Sequence, residues 1–326
     1  MNGYILLDRI EVQNANCIAG LTYGFPAITH FLGYTHALSR VLKKEIGLEL
    51  TGCGIVCHEH QIQVHRIKNV GHYVFSQARK PLNNKAASPA ENEEGRMSMT
   101  ISLILEVSRV VTRKEYLTLT GLISKHAVRQ RLAGGQIMNI ADVGVYGGDD
   151  KHKLSKQVLR KVLPGFALID RSLLLERHFK SLLAQNEKAS RFDAWLDFAS
   201  LKYRATPPPE MQGDDDNHKV EWELIPKPEQ GYLVPLMTGY CAISELYKAG
   251  VVNDTRDPNS PFCFVESVYG VGQWISPLRV LQLDDIIWRY EYKPPLYICK
   301  TSENSNPPQL ITEQEAMLAE TEITFF

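Results

Sequence analysis

The sequence predicts an α+β protein, and three observations carry that prediction. The chain has 326 residues, 44% hydrophobic and 22% charged, which is enough to bury a sizeable core and is unlike a disordered composition. Along the first 148 positions, stretches rich in β-branched and apolar residues are interleaved with two stretches of helical period. Beyond them, three helix-like stretches stand in a row before strand-like stretches return.

YILLDRIEV (4–12) mixes Ile, Leu and Val with isolated polar positions and reads as a strand, followed by the loop NANCIAGLTYGFPA. ITHFLGYTHALSRVLKKEIG places Phe31, Leu38, Val41, Leu42 and Ile46 mostly at helical spacings, with Gly47 as a C-terminal stop. GIVCHEHQIQVHRI (54–67) is a long strand, NNKAASPAENEEG (83–95) a polar loop, and RMSMTISLILEVS (96–108) a second long strand. Helical period returns over 113–132 through Leu119, Leu122, Ile123, Ala127 and Leu132, and QIMNI (136–140) is a short strand. The order β-α-β-β-α-β is the ferredoxin-like, or split βαβ, arrangement, with two helices on one face of an antiparallel sheet. We assign it residues 1–148.

Residues 149–204 form a basic helical segment through KHKLSKQVLRKVLPG, LLLERHFKSLLAQ and RFDAWLDFASLKY. After the linker ATPPPEMQGDDDNHK (205–219), residues 220–300 make a second, irregular α+β portion, and 301–326 an acidic tail. No apolar run approaches the ~20 residues of a membrane helix, and MNGYILLDRI has no basic n-region ahead of its apolar run. Six cysteines without a framework spacing point to reduced thiols in a cytoplasmic protein.

Net charge is only −1, yet it is unevenly spread. Between residues 109 and 180 fourteen Lys and Arg stand against six Asp and Glu; residues 205–234 hold seven acids and two bases. A cationic middle suits a polyanion, and the acidic third either repels one or is solvated charge.

Motifs for phosphate loops, nucleophile elbows, zinc helices and CxxC pairs are missing, so no cofactor or metal is expected. The densest reactive cluster is CGIVCHEHQIQVH; on a regular strand His58 and His60 share one face while Cys57, Glu59 and His65 share the other, which splits metal ligands. RLAGG combines cations with bare backbone. Lys125 and Arg129 one turn apart, with Arg131 at the helix end, would reach a phosphate while Gly134 and Gly135 let a nucleic-acid backbone approach. The bland alternative is a glycine C-cap whose arginines offset the helix dipole. Lys153, Lys156 and Arg160 form a stripe opposite Leu154, Val158 and Val162, fit for phosphate or for solvent. Asn14, Asn16, Tyr23, Phe25 and His30 offer base-edge and stacking groups, or simply a turn followed by a helix start at Pro26.

QNANCIAGLTYGFP, FLGYTHALSR, GIVCHEHQIQ, FSQARKPLN, EEGRMSMTISL, RLAGGQI, LPGFALIDR, GYLVPLMTGY and FVESVYGVGQWISPLRV occur in this order, and with them the chain resembles the subunit of the type I-F CRISPR surveillance (Csy, Cascade) complex that holds the 5′ end of the guide RNA. The resemblance implies an RNA-recognition-like (RRM-like) fold of the repeat-associated, or RAMP, kind and a role without catalysis in antiviral defence. Its implied partners are the 5′ handle of the guide, the large subunit, the adjacent repeated backbone subunit and, through base pairing by the complex, target DNA. It also implies a handle contact for Arg131, Gly134 and Gly135. RNA-recognition folds stack bases on aromatics of the two central strands, but here only Tyr4 stands at one edge. Loops and helix ends must then bind, which adds Arg66, Arg79 and Arg96. The competing readings are a metal-independent endoribonuclease using His58, His60 and His65, and a scaffold that never touches RNA.

Overall fold

The computed structural model describes residues 3–68, 71–76, 81–89, 94–112, 114–206 and 221–302; Arg79, nearly all of the acidic linker and the acidic tail after Ser302 lie outside them. The chain is α+β, with ten strands in one antiparallel hydrogen-bonded sheet and five α-helices among the described residues.

The first six major elements follow the order expected from the sequence: β1 (Gly3–Asn16), α1 (Ile28–Ile46), β2 (Leu50–Ile62), β3 (Arg96–Val107), α2 (Tyr116–Ala127), a two-residue β4 (Arg131–Leu132) and β5 (Gly135–Gly147). Within the sheet they lie in the order β2-β3-β1-β5-β4. Successive side chains of β1 face opposite ways. Ile5 and Leu7 join Phe31, Leu38 and Leu42 of α1 and Leu119 and Ile123 of α2 in one core, whereas Tyr4 and Leu6 join a second core on the other face.

That second face is covered by α3 (Lys151–Lys161), whose Leu154, Val158 and Leu159 pack with Tyr4, Leu6, Val56 and Ile104. Gly47 ends α1 as expected, in a left-handed conformation with its N–H on the carbonyls of Leu42 and Lys43. Two expectations on this half need correction. The helix read over 113–132 stops at Ala127, so Arg129 and Arg131 are not on it. The strand read as five residues runs for thirteen, because β5 pairs with β1 along nearly its whole length.

The remaining strands are β6 (Phe166–Asp170), β7 (Tyr232–Ala242), β8 (Val265–Ile275), β9 (Ile287–Lys293) and β10 (Leu296–Lys300); helices α4 (Ser172–Gln185) and α5 (Arg191–Ala199) precede β7. The far edge of β2 is shared. Cys53 and Gly54 pair with Trp288 and Ile287, while Val56 and Cys57 pair with Ala167 and Phe166. The ladders therefore close into a ring, β2-β6-β8-β7-β10-β9. Trp288 is fully buried and its indole N–H donates to the Leu168 carbonyl at 2.9 Å, tying β9 to β6. Removing so large a buried ring costs about 3–5 kcal/mol. Beside it Arg289 donates to Glu106 at 2.7 and 2.9 Å and to Asp284 at 2.5 Å, so the buried Glu106 charge is met by a forked partner.

Candidate nucleic-acid interface

The RLAGGQI stretch is not a helix cap. Leu132 and Gly135 pair across a two-residue turn in which Ala133 and Gly134 have φ of 50° and 75°. Positive φ at both central positions is what a tight type I′ hairpin demands. The turn is anchored, since the Asn16 amide donates to the Ala133 carbonyl at 2.8 Å. Gly135 is buried here: a Cβ on it would lie 2.6–2.8 Å from backbone atoms of Gln13 and Ala15. Its bareness serves the approach of β1, not of a nucleic acid. Gly134 is exposed and has open space on its Cβ side.

This hairpin brings Arg131 and Gly134 to the far end of β1. There they line a concavity of about 370 Å³ with Asn14, Arg96, Gln63, Ser76 and Glu94. Four of the residues singled out from the sequence thus converge. Asn14 has φ of 56° and accepts from the Gln63 side-chain amide at 3.1 Å. Arg96 is held by Glu94 at 3.0 Å, and Arg131 donates weakly to the Gly134 carbonyl at 3.5 Å. Two guanidinium groups face the same hollow against one carboxylate, which leaves a net positive site.

A second concavity, about 530 Å³ and mostly apolar, adjoins the first and is lined by Tyr23, Phe25, Cys57, His60, Phe166, Tyr232 and Trp274 among others. Ile62 borders this one and Gln63 the other; Ser76, next to Phe75, donates its amide to the Gln63 carbonyl at 3.0 Å. Tyr23 is 73% exposed and meets Phe75 edge-on at 5.9 Å. Phe25 is fixed between Phe31 at 5.5 Å and Trp274 at 4.9 Å. Burial pushes the Cys57 thiol up to about 12, so it lines the wall as a neutral apolar group. Exposed and edge-presented rings of this kind suit the faces of unpaired bases.

Strand alternation fails at His58. The β2–β3 register shifts between Cys57 and Glu59, a bulge that turns Cys57, His58 and His60 to the same hollow. Both ring nitrogens of His58 have partners within the protein. Its Nδ1 donates to the Pro164 carbonyl at 2.6 Å and its Nε2 lies 2.7 Å from the Ser102 hydroxyl, which donates to Asp8 at 2.8 Å. His65 is exposed on a separate two-stranded ladder, 64–66 with 73–75. Among the described residues no three metal-ligating side chains cluster, and all six cysteines are free.

Other expected contacts lie elsewhere. The Asn16 side chain accepts from Ile18 N–H and donates to the Ile18 carbonyl, so the turn reading holds for it. His30 is half-buried in the first turn of α1 and is not among the side chains lining either hollow; burial holds its imidazole below the ordinary range. Lys125 and Arg129 are exposed near the end of α2, and Arg66 is exposed on the small ladder. Lys153, Lys156 and Arg160 line a third concavity on α3. The sequence reading missed Gln63, Ser76 and Glu94, and the ring residues Phe166, Tyr232 and Trp274. Only long-range pairing carries them to the site.

Among the described residues no helix is long and apolar enough to cross a membrane. The family described as CRISPR-associated protein (Cas_Csy2) matches residues 5–299. CRISPR-associated protein Csy2 of Pseudomonas aeruginosa (strain UCBPP-PA14) is 35% identical over 313 residues, covering 89% of this chain and 92% of that relative.

Proposed function

The chain belongs to the Cas_Csy2 family and is a subunit of the type I-F Csy complex of CRISPR defence, and from that premise we propose that it is the non-catalytic subunit that clasps the 5′ handle of the guide RNA. The observation carrying this reading is the pair of adjoining hollows. Arg96, Arg131 and Asn14 supply cations and an amide for phosphates, while Tyr23, Phe25 and Trp274 supply rings for unpaired bases. Strand order β2-β3-β1-β5 with both helices on one face supports a ferredoxin-like, RRM-like head. The face that such folds use for RNA is occupied by α3, which favours binding at the loop end of the sheet instead.

The large subunit and the first backbone subunit are the protein partners of this reading, and target DNA is read by pairing with the guide. A ribbon outside the main sheet, 202–206 with 221–225, supports a protein contact. Tyr203 opposes Leu224 and Ala205 opposes Trp222, so one of its faces is apolar, and Tyr203, Trp222 and Leu224 are each at least half exposed. His58 bridges the Pro164 carbonyl and the Ser102 hydroxyl, and His65 lies on a separate ladder, so the three histidines of the nuclease reading do not converge.

The test is co-expression of the chain with its complex and a repeat-spacer array, comparing wild type with Arg131→Glu. Guide occupancy of the purified assembly should fall while the unfolding temperature is unchanged; unaltered occupancy would reject the site. The same purification reports whether the large subunit accompanies the chain.

A further inference from the structure

We infer that the outward face of α3 is a second, separate phosphodiester-binding site, which takes a nucleic-acid segment other than the one held at the Asn14–Arg131 hollow. Lys153, Lys156, Arg160 and Lys161 border one concavity of about 530 Å³ on this helix and are all exposed. The acid on its rim, Asp150, is already spent as the helix N-cap, accepting from the amides of His152 and Lys153 at 3.0 Å. Among the described residues no ion pair engages Lys156, Arg160 or Lys161, so four cations border the hollow against the single carboxylate of Asp150. The helix is locked in place by its opposite side, with Val158 fully buried against the sheet and Ser155 accepting the Leu283 amide at 3.1 Å. The helix backbone is thereby fixed, and the exposed cations extend from it around one hollow.

Two distances set the ligand. From Lys153 to Arg160 is seven residues, or about 10.5 Å at 1.5 Å per residue. That length of duplex carries about six phosphate charges, about three on each strand. Leu163, just past the end of the helix, accepts from Arg9 at 2.9 Å, and Asn14 lies five residues further along β1, roughly 16 Å away in an extended strand. That is about twice the ~8 Å screening length at physiological salt. Fixed charges at the two sites are therefore largely screened from one another.

The experiment uses the whole purified complex with its guide, carrying Lys153→Gln/Lys156→Gln/Arg160→Gln, beside the wild type and the Arg131→Glu variant. Binding of a 30-base-pair DNA duplex without complementarity to the guide is measured over a range of salt, and guide occupancy is measured in parallel. With duplex DNA as ligand, guide occupancy stays at the wild-type level, and the slope of log K against log salt falls by about 2.7, three contacts at ~0.9 each. Loss of guide in the α3 variant, with the duplex slope unchanged, would identify the guide backbone as the occupant of the same site. No change in either measurement, with the variant folded by its thermal transition, would overturn the proposal. Failure of Arg131→Glu alone would reject the handle site and leave this one standing.

Discussion

Two cationic surfaces on this chain differ in one respect that matters. At the loop end of the sheet Arg96 is held by Glu94 at 3.0 Å, while Arg131 makes only a weak 3.5 Å contact to the Gly134 carbonyl. On α3 the cations are unengaged and evenly spaced along a helix. A guanidinium held as Arg96 is has a fixed direction, so it can orient a strand. Free lysines supply attraction without direction, which any phosphate backbone satisfies. A single subunit can thus carry one site for a particular RNA segment and one for nucleic acid in general.

The largest expected effect separates the two surfaces directly. Arg96→Glu/Arg131→Glu removes two charge-assisted contacts, each worth about 1.5–3 kcal/mol, and adds repulsion. Guide retention should drop at least a hundredfold at that magnitude, read by competition with labelled guide, while the α3 variant retains its guide. Equal losses from both variants would erase the distinction.

Next comes the architecture under the first surface. Gly135→Ala drives a Cβ into the backbone of Gln13 and Ala15, which cannot yield as a side chain does, and should destabilise the fold by about 1–3 kcal/mol. Gly134→Ala meets nothing, and its cost is the roughly 1–2 kcal/mol of a left-handed backbone alone. Denaturant unfolding should rank 135 above 134, and neither change should alter the salt slope attributed to α3. A larger loss at 134 would mean that the turn, not the β1 contact, limits stability.

The same glycines mark where sequence reading ends. Cations followed by Gly-Gly and an apolar run satisfy both a helix C-cap and a tight hairpin, because the local chemistry of the two overlaps. What decides is the pairing of β5 with β1 more than 120 residues away, together with the Asn16–Ala133 anchor. Elements governed by local period were legible. These include α1 with its Gly47 stop, the buried side of α3 through Leu154, Val158 and Val162, and both long strands of the head. Period could not reveal the bulge at His58, nor the ring that carries Phe166, Tyr232 and Trp274 to Tyr23 and Phe25. Of the candidate residues, Asn14, Arg96, Arg131 and Gly134 meet in one hollow and Tyr23 and Phe25 in its neighbour. Residue type marked them, but the sequence did not reveal that they converge.

The smallest expected effect concerns the order of the α3 surface. The Lys153 amide, then that of His152, holds the Asp150 carboxyl below the usual carboxylate range. A carboxylate whose folded pKa is depressed stabilises above its unfolded value, near ~3.9, and loses that contribution as pH falls through the folded value. Protonation therefore releases two amides at the start of α3 and frays the turn that carries Lys153. Protection of the His152 and Lys153 amides, taken relative to the unstructured exchange rate at each pH, should fall on acidification below about pH 4, and Asp150→Ala should show the low protection already at neutral pH. Arg96 and Arg131 have no such cap, so Asp150→Ala should leave guide retention intact. Protection that ignores both pH and the substitution would mean that Leu154 and Val158, buried against the sheet, hold the first turn without the cap.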